Sequence, residues 1–411
     1  MANILYITFD GITDPLGRSQ ILPYLKGLSH CGHSIHILSQ EKVKHLKREG
    51  RAVEKILGSH NISWDHIPYK NKPPILQPLI QRRRIKQLAK QIIAKKQIDL
   101  THCRSYMAGW VGLQIKKQLG IPFVFDMRGF WPDERKEGGL WPTKNPLYRL
   151  VYLRVKHLEK RLLFNAEHIV SLTHKGKKII ESWNHIKNFE EIISVIPCCA
   201  DLDHFDPSKY STTDKNQLRK TYNLKEEDLV IGYVGSLGTW YMLDEMLDAF
   251  AQWSQQEKNL KLFFLSNISQ DDLLPMLSKR GIPKESVRTQ STSYDNVPEH
   301  MAMFDVGLFF ILPVFSKSAS SPVKQGEMLS MGLPVICNRG VGDTDRVIKE
   351  IDSSLIVNDL NTSSYQAVAR VFSDTGFRDS LSRQCRPTAK KWFDVNQGIA
   401  SYNNIYNDII K

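Results

Sequence analysis

The most informative stretch of the sequence covers residues 321–336 and reads SPVKQGEMLSMGLPVI. It places Lys324 and Glu327 three residues apart at the start of an apolar helical run, and residues three apart share one face of a helix. A helix N-terminus favours anions through its free N–H groups and its dipole, and a carboxylate one turn further on accepts hydrogen bonds from sugar hydroxyls. The spacing therefore indicates a site for a phosphorylated ribose, although an ordinary helix start with a solvent-exposed lysine and glutamate gives the same pattern.

Short apolar runs alternate with amphipathic stretches along the chain, and such alternation predicts parallel, doubly wound sheets. The series restarts after Pro197, so the 411 residues are predicted to form two similar α/β domains. The predicted organisation is an N-terminal domain over 1–200, a hinge over 201–213, a second domain over 214–391 and a C-terminal crossover helix over 392–411. Because ligands of open parallel sheets bind outside the carboxyl ends of the strands, two such domains facing across a cleft suit a transferase with separate donor and acceptor sites.

Composition excludes several classes of protein. Hydrophobic residues make up 41% of the chain and charged residues 24%, which is typical of a soluble globular protein. No apolar run approaches the roughly 20 residues needed to span a bilayer, and Met1–Phe9 lacks the basic leader and the cleavage site of a signal peptide. The six cysteines show no C-x-x-C spacing, so a reduced cytoplasmic protein without structural zinc is expected.

Positive charge is concentrated in the first half of the chain. Residues 1–200 carry 33 Lys/Arg and 16 Asp/Glu, a net charge of +17, whereas residues 201–411 carry 23 and 27, a net charge of −4. Two stretches, 70–96 and 148–161, combine basic with apolar residues at helical spacing, and this suits the anionic surface of a membrane. Nucleic acid attracts the same charges, but no nucleic-acid-binding signature accompanies them. For either stretch alone, the solvated face of a packed helix is the simpler interpretation.

Five further segments carry a resemblance to a known family. They are DPLGRSQ at 14–20, GHSIHIL at 32–38, VSLT at 170–173, IPCCADLDHF at 196–205 and GYVGS at 232–236. In this order, together with the stretch at 321–336, they resemble the retaining GT-B glycosyltransferases of family 4, which include glycogen synthases and bacterial mannosyl- and glucosyltransferases. The resemblance covers nearly the whole chain. It implies two Rossmann-like doubly wound domains facing across a cleft, with the C-terminal helix returning to the N-terminal domain.

The resemblance also implies the donor-binding roles. Glu327 would bind the ribose hydroxyls of a nucleotide-sugar donor, while Lys324 and the backbone N–H groups of the helix start at Pro322 would hold its phosphate. Gly17 would let a loop of the N-terminal domain approach that phosphate, because only a residue without Cβ allows the approach. The remaining donor-binding candidates follow the first strand of the second domain: Gly235, Ser236 and Tyr241.

Three departures from the family pattern affect these roles. Ala319 stands where the family has a second glutamate that touches the transferred sugar, so the identity of the sugar stays open. Ser236 and Tyr241 stand where the family has a phosphate-binding arginine and lysine. Either the donor carries a single phosphate, or cations elsewhere substitute for the missing pair: Lys324, Arg18 or Arg128. Arg128 itself stands where the family has a histidine, and its guanidinium can pair bidentately with a phosphate or a carboxylate.

The acceptor side is predicted from polar residues that follow strands of the N-terminal domain. His102 and Arg104 end one strand, and the segment DMRGFWPDE at 126–134 follows the next with the mixture of aromatic and charged residues common in sugar-binding sites. The acceptor-side candidates are Arg18, His102, Arg104, Trp131, Asp133 and Glu134. The simpler alternatives to an acceptor-binding role are that His102 donates to the backbone within a turn and that Asp133 and Glu134 are solvated carboxylates in a loop. Asp201-Leu202-Asp203 has the D-x-D pattern of a metal site, but its position after a linker strand argues against a metal.

The sequence therefore predicts a hexosyltransferase-type glycosyltransferase that moves a sugar from a nucleotide-sugar, with retention, to a saccharide or lipid-linked acceptor in the synthesis of a cell-surface polysaccharide or glycolipid. Arg128, Lys324 and Glu327 would be catalytic. No metal, further cofactor or nucleic-acid partner is expected, and the protein is expected in the cytoplasm, peripheral on the inner face of the membrane. Two alternatives stay open: a sugar-nucleotide epimerase or hydrolase, and a non-catalytic subunit that binds nucleotide-sugars or polysaccharide.

Overall fold

A computed structural model of the chain describes residues 1–73, 76–183 and 192–411. It divides into an N-terminal unit, Met1–Pro197 together with Val395–Lys411, and a C-terminal unit, Cys198–Asp394. Each unit is built on one fully parallel sheet connected by helices. The predicted α/β class with two Rossmann-like domains is therefore confirmed.

The N-terminal unit alternates strands and helices from its first residues. Its strands are β1 (Asn3–Ile7), β2 (Ser34–Glu41), β3 (Ser63–Pro68), β4 (Leu100–Arg104), β5 (Phe123–Asp126), β6 (His168–Ser171) and β7 (Ile193–Val195). Its helices before the C-terminal tail are α1 (Pro15–Gln20), α2 (Leu22–His30), α3 (Val43–Ser59), α4 (Leu76–Lys95), α5 (Ser105–Leu119), α6 (Trp131–Glu137), α7 (Pro146–Asn165) and α8 (His174–Glu181). The strand order is β3-β2-β1-β4-β5-β6-β7. The order reverses between β1 and β4, and such a reversal opens a ligand crevice at the carboxyl ends of the strands.

The C-terminal unit repeats this plan. Its strands are β8 (Leu229–Val234), β9 (Leu260–Leu265), β10 (Val287–Gln290), β11 (Val306–Phe309), β12 (Val335–Asn338) and β13 (Ile356–Val357). Its helices are α9 (Thr212–Thr221), α10 (Leu243–Gln256), α11 (Gln270–Lys279), α12 (Val297–Met301), α13 (Val323–Ser330), α14 (Thr344–Lys349), α15 (Thr362–Val368), α16 (Arg370–Ser373) and α17 (Thr375–Phe393). The strand order β10-β9-β8-β11-β12-β13 reverses between β8 and β11.

The central strands are continuous apolar runs, because helices cover both faces of a parallel sheet and bury both faces of each strand. Ile4 and Ile7 of β1 are fully buried, and so is Phe263 of β9. Tyr6 of β1 pairs in register with His102 of β4. This register brings a predicted site residue to the crevice between the two strands.

Helix α18 (Val395–Ile409) completes the N-terminal unit. Its Asn403 lies 2.8 Å from the Nε2 atom of His33, and the hydroxyl of its Tyr406 lies 2.7 Å from the Nδ1 atom of His102. The prediction that the C-terminal helix returns to the N-terminal domain is therefore confirmed.

Several elements differ from expectation. The tail forms two helices rather than one over 392–411, because the backbone turns extended at Asp394, between the end of α17 and the start of α18. Helix α3 and strand β3 were not predicted. Half of the residues of β3, SWDHIP, are polar, because β3 is an edge strand with little burial. Within the described residues, no helix is both long and apolar enough to cross a membrane.

Candidate active site

The start of α13 is buried. Pro322 occupies the N-cap position, and within the described part of the chain no side chain caps the first N–H groups of the helix. Lys324 is only 6% exposed and Glu327 only 7% exposed. The simple alternative for this stretch, an ordinary helix start with a solvent-exposed lysine and glutamate, is therefore excluded.

The Lys324 ammonium lies between two tyrosine rings. Its Nζ atom is 3.9 Å from the centroid of the Tyr233 ring, on β8, and 3.7 Å from the centroid of the Tyr241 ring. Within the described residues, Nζ has no hydrogen-bond partner. Burial lowers the pKa of Lys324 well below its usual value, although the charge of Glu327 acts in the opposite direction.

Glu327 has the complementary shift. Burial raises the pKa of its carboxyl to about 7, and the charge of Lys324 opposes this rise. An anionic ligand at Lys324 favours the charged lysine, and hydroxyl groups that donate to Glu327 favour the ionised carboxylate. The pair is therefore suited to a ligand that carries both a phosphate and vicinal hydroxyls.

The loop after β8 closes against this lysine. Gly235 has a φ of +106°, in the left-handed region that residues with a Cβ avoid. A Cβ added at Gly235 lies 3.4 Å from Nζ of Lys324. The carbonyl of Ser236 accepts a hydrogen bond from the Tyr233 hydroxyl at 2.7 Å. The structure thus brings together the predicted donor residues of the C-terminal unit: Gly235, Ser236, Tyr241, Pro322, Lys324 and Glu327.

The position that lacks the family glutamate lies in a short 3-10 helix, Phe315–Ala319, where Ala319 is buried. Lys317 of the same helix is 6% exposed, and its Nζ atom lies 4.0 Å from the centroid of the Trp240 ring. A buried cation therefore stands two residues from the place of the missing carboxylate. Lys317 was not predicted as a site residue, because a single lysine in a serine-rich segment forms no recognisable motif.

A buried carboxylate holds the β1–α1 loop of the N-terminal unit. Glu41, at the end of β2, accepts hydrogen bonds from the backbone N–H groups of Ile12 at 2.8 Å and Thr13 at 3.2 Å. The loop folds so tightly that a Cβ added at Gly17 would lie 2.2 Å from the carbonyl oxygen of Gly11. The packing of the loop alone therefore requires a glycine at position 17.

Charged residues meet at the carboxyl ends of β4 and β5. The Nε atom of Arg104 donates to Asp10 at 3.0 Å, and the guanidinium groups of Arg104 and Arg128 each lie 3.8 Å from Asp126. Burial opposes ionisation of Asp126, but the nearby charges of Arg128 and Arg104 lower its pKa. Arg128 has a φ of +56°, a strained conformation for a long side chain and one that often marks a functional site.

His102 also links the sheet to α18. Its Nδ1 atom contacts the hydroxyl of Tyr406, and its Nε2 atom lies 3.6 Å from Asp126. Burial lowers the pKa of His102, so the imidazole is neutral at pH 7. The structure therefore gives this histidine a packing role, whatever its part in acceptor binding.

The predicted acceptor-side carboxylate Asp133 lies in α6 and is buried. It accepts hydrogen bonds from the Tyr152 hydroxyl at 2.8 Å and from Nζ of Lys156 at 3.1 Å, both on α7. Asp133 therefore ties α6 to α7 and is not a free base. Three other acceptor-side candidates are half-buried: Arg18, Trp131 and Glu134.

Comparison with known proteins covers both units. A family model described as Glycosyltransferase Family 4 matches residues 21–204, and one described as Glycosyl transferases group 1 matches residues 214–392. The chain belongs to glycosyltransferase family 4. Its two parallel-sheet units give this family 4 enzyme the GT-B fold. It is a hexosyltransferase that uses a nucleotide-sugar donor.

Named relatives of this family 4 enzyme are distant. The UDP-Gal:alpha-D-GlcNAc-diphosphoundecaprenol alpha-1,3-galactosyltransferase of Escherichia coli is 24% identical over 335 residues, 78% of each chain. The alpha-monoglucosyldiacylglycerol synthase of Acholeplasma laidlawii is 21% identical over 76% of this chain and 73% of its own length. HepE of Anabaena, solved in complex with UDP and glucose, has a TM-score of 0.72 at 16% identity and covers 99% of this chain and 100% of its own.

Besides Lys317, two residues of the family 4 site were not predicted from the sequence: Tyr233 and Glu41. Tyr233 ends a buried apolar strand, where a tyrosine is normally part of the core, so its contact with Lys324 leaves no signal in the sequence. Glu41 could have been found, because a carboxylate at the carboxyl end of an apolar strand lies at the ligand-binding edge of a parallel sheet.

Proposed function

We propose that this enzyme transfers a hexose, with retention of configuration, to a saccharide or lipid-linked acceptor in the synthesis of a cell-surface polysaccharide or glycolipid. The observation that carries the donor site is the buried pair at the start of α13: a cation whose Nζ has no hydrogen-bond partner in the described residues, and a carboxylate one turn on. A lipid-linked acceptor is supported by the names of two relatives. One is named for α-D-GlcNAc-diphosphoundecaprenol and the other as a monoglucosyldiacylglycerol synthase.

The donor phosphate is proposed to bind at Lys324 and at the uncapped N–H groups of α13, and the ribose hydroxyls at Glu327. Both the helix N-terminus and the ammonium favour an anion at this place. Gly235 and Ser236 keep the adjoining loop close to the lysine. Gly17 is proposed to leave the β1–α1 loop without a side chain on its donor side.

The proposed reaction breaks the bond between the anomeric carbon and the donor phosphate oxygen and forms a bond from that carbon to an acceptor hydroxyl oxygen on the same face. The proton of the acceptor hydroxyl passes to the leaving phosphate oxygen. In such a front-face attack the enzyme contributes positioning and stabilisation of the leaving charge. Lys324 supplies that stabilisation, and Arg128 is proposed to bind an anionic group of the substrates through its planar guanidinium.

The acceptor side is proposed at the carboxyl ends of β4 and β5. Arg104 and Arg128 lie at this edge beside Asp10 and Asp126, and a phosphate on the acceptor is proposed to bind their guanidinium groups. The half-buried side chains of Arg18, Trp131 and Glu134 are proposed to contact acceptor sugar groups. His102 and Asp133 already have protein partners, so they are proposed to position these contacts.

Two helices are proposed to dock the enzyme on the anionic inner face of the membrane, as a peripheral cytoplasmic protein. Exposed apolar side chains occupy the first half of each helix: Leu76, Leu79 and Ile80 on α4, and Leu147, Leu150 and Leu153 on α7. Exposed arginines lie among them: Arg83, Arg84, Arg149 and Arg154. Apolar side chains with interspersed cations favour insertion at an anionic lipid interface.

Transfer is proposed to need no metal. In the D-x-D segment, the carboxylate of Asp201 accepts the backbone N–H groups of Asp203 and His204, each at 3.1 Å. That carboxylate therefore closes a turn at the start of the C-terminal unit. Undiminished transfer in the presence of EDTA is the expected result, and loss of activity that Mn²⁺ or Mg²⁺ restores would contradict it.

The experiment that tests the proposed function incubates the enzyme with UDP-glucose or UDP-galactose and a diphosphoundecaprenol-linked GlcNAc, followed by NMR of the product. The expected product has the α configuration of the donor, and Glu327→Ala forms none. Release of free sugar without acceptor would favour a hydrolase. Nucleotide binding without turnover on any acceptor would favour a non-catalytic binding subunit.

A further inference from the structure

The Lys324 ammonium is an incompletely satisfied buried cation. Its three N–H donors find no acceptor atom among the described residues, although the side chain is only 6% exposed. Buried donors without acceptors destabilise the folded state. A site built in this way is completed by a ligand that brings acceptor oxygens.

The two rings that face this ammonium are held in place by their own surroundings. They stand edge to face, with centroids 5.9 Å apart and planes at 81°. Tyr233 is fully buried, and its hydroxyl donates to the Ser236 carbonyl. Tyr241 forms an antiparallel bridge with Ile311, and its N–H donates to the Gly238 carbonyl at 2.9 Å. The Tyr233 ring is therefore held by the sheet and by its own hydroxyl, and the backbone that carries the Tyr241 ring is held by the loop and by Ile311.

We propose that Tyr233 and Tyr241 are positioning residues that form an aromatic box around the Lys324 ammonium and hold it where the donor phosphate binds. The proposal rests on the donor site proposed above and adds two residues that act through the lysine. Ring faces attract an ammonium electrostatically, and most strongly where water is excluded. Neutral rings hold the cation without neutralising it, whereas a carboxylate in their place would compensate its charge.

The box has a consequence for affinity. A lysine has four rotatable side-chain bonds, and a side chain that is free before binding must lose that freedom when it engages a ligand. Lys324 already lies between two rings in the ligand-free enzyme, so the donor phosphate meets a side chain that is already in position and that is an ammonium in the complex. The ring, rather than the tyrosine hydroxyl, is the part of Tyr241 that acts.

The test is a double-mutant cycle on the binding of UDP, with GDP and ADP measured in parallel by titration calorimetry. Tyr241→Leu removes the ring and is expected to weaken nucleotide binding about tenfold, a change of about 1.4 kcal/mol. Tyr241→Phe keeps the ring and is expected to stay within about twofold of the wild type. In a Lys324→Met background, Tyr241→Leu is expected to have no further effect.

Three results separate the possibilities. If Tyr241→Leu weakens binding equally with and without Lys324, the ring contacts the nucleotide itself and the box is overturned. If Tyr241→Leu has no effect, the box is likewise overturned. If the wild type binds none of the three nucleotides, the proposed donor site fails and the box fails with it, whereas the first two results leave the donor site standing.

A second measurement serves if Tyr241→Leu does not fold. In wild-type enzyme with ¹³C-labelled lysine, the ε-methylene protons of Lys324 should resonate upfield of every exposed lysine, because two tyrosine rings face them. Their signal is assigned by its absence in Lys324→Met. An unshifted signal would show that the ammonium is outside the box in solution and would overturn the proposal.

Discussion

The carboxylate of Glu41 accepts the backbone N–H of Ile12 at 2.8 Å, and so the end of β2 fixes the loop between β1 and α1. The same carboxylate accepts the N–H of Thr13 and, at 2.6 Å, the hydroxyl of Ser39. Glu41 is fully buried, and its carboxylate accepts hydrogen bonds from all these donors. It therefore determines the shape of the loop that contains Gly17.

Glu41→Ala is expected to destabilise the N-terminal unit by about 3 kcal/mol, because several buried donors lose their acceptor at once. Urea unfolding measures this loss, and hydrogen exchange of the peptide that contains Ile12 and Thr13 should become faster. Glu54→Ala, at an exposed position of α3, is the matched control and is expected to change stability by less than about 0.5 kcal/mol. Equal losses in the two variants would show that the loop does not depend on the Glu41 carboxylate.

Glu327 makes stability depend on pH. Burial raises its pKa from 4.5 to about 7, so the folded state resists ionisation: the stability that the protonated carboxyl provides is complete below pH 4.5 and is lost as the pH rises through 7. Glu327→Gln should therefore be more stable than the wild type at pH 8, by about 1–3 kcal/mol, and no more stable at pH 4.5. Urea unfolding at both pH values checks this, and an advantage that is independent of pH would contradict it. The variant should also lose nucleotide binding. The Glu327 carboxylate would therefore serve binding while it lowers the stability of the folded enzyme at pH 8.

Nucleotide binding should take up protons. Burial lowers the pKa of Lys324 in the free enzyme, and a bound phosphate would raise it again. The groups that face Lys324 are Glu327, Tyr233 and Tyr241; at pH 8 the first is largely ionised, and burial keeps the pKa of Tyr233 far above that pH.

Titration calorimetry at pH 8 in two buffers of different protonation enthalpy measures this uptake. The wild type is expected to show a net uptake of up to about one proton. Lys324→Met should show a smaller uptake or none. Proton release by the wild type, or an uptake that Lys324→Met retains, would contradict the assignment of the proton to this lysine.

Membrane docking should depend on the exposed leucines of α7. The double variant Leu150→Ser, Leu153→Ser is expected to bind vesicles that contain phosphatidylglycerol about tenfold more weakly, because two apolar side chains no longer enter the interface. Leu274→Ser, at an exposed leucine of the C-terminal unit, is the control. Co-sedimentation measures the binding. If the wild type binds pure phosphatidylcholine vesicles as tightly as anionic ones, the proposed attraction between the exposed arginines and anionic lipid is wrong.

Much of the fold follows from pattern alone. Alternating apolar runs predicted both parallel sheets, because a buried parallel strand must be apolar on both faces. The edge strand β3 escaped prediction because it is hardly buried. The break at Asp394 between α17 and α18 was also not predicted, because the apolar residues on either side of it keep roughly helical spacing and conceal the extended residue.

The candidate site was predictable where its residues are close in sequence. Lys324 and Glu327 lie one helical turn apart, so their shared face follows from helix geometry. The aromatic box was not predictable, because Tyr233 is on β8 and reaches Lys324 only through the packing of the C-terminal unit. The same limit applies to Asp133, whose partners Tyr152 and Lys156 lie on the following helix.

The most important property proposed for this enzyme is that the start of α13 binds the nucleotide of the sugar donor. Thermal unfolding of the wild type and of Glu327→Ala, each with UDP, GDP, ADP or CMP, tests it most directly. One of these nucleotides is expected to raise the melting temperature of the wild type, and the rise is expected to be absent in Glu327→Ala. No rise with any of the four, or an equal rise in the variant, would contradict the donor site proposed at Lys324 and Glu327.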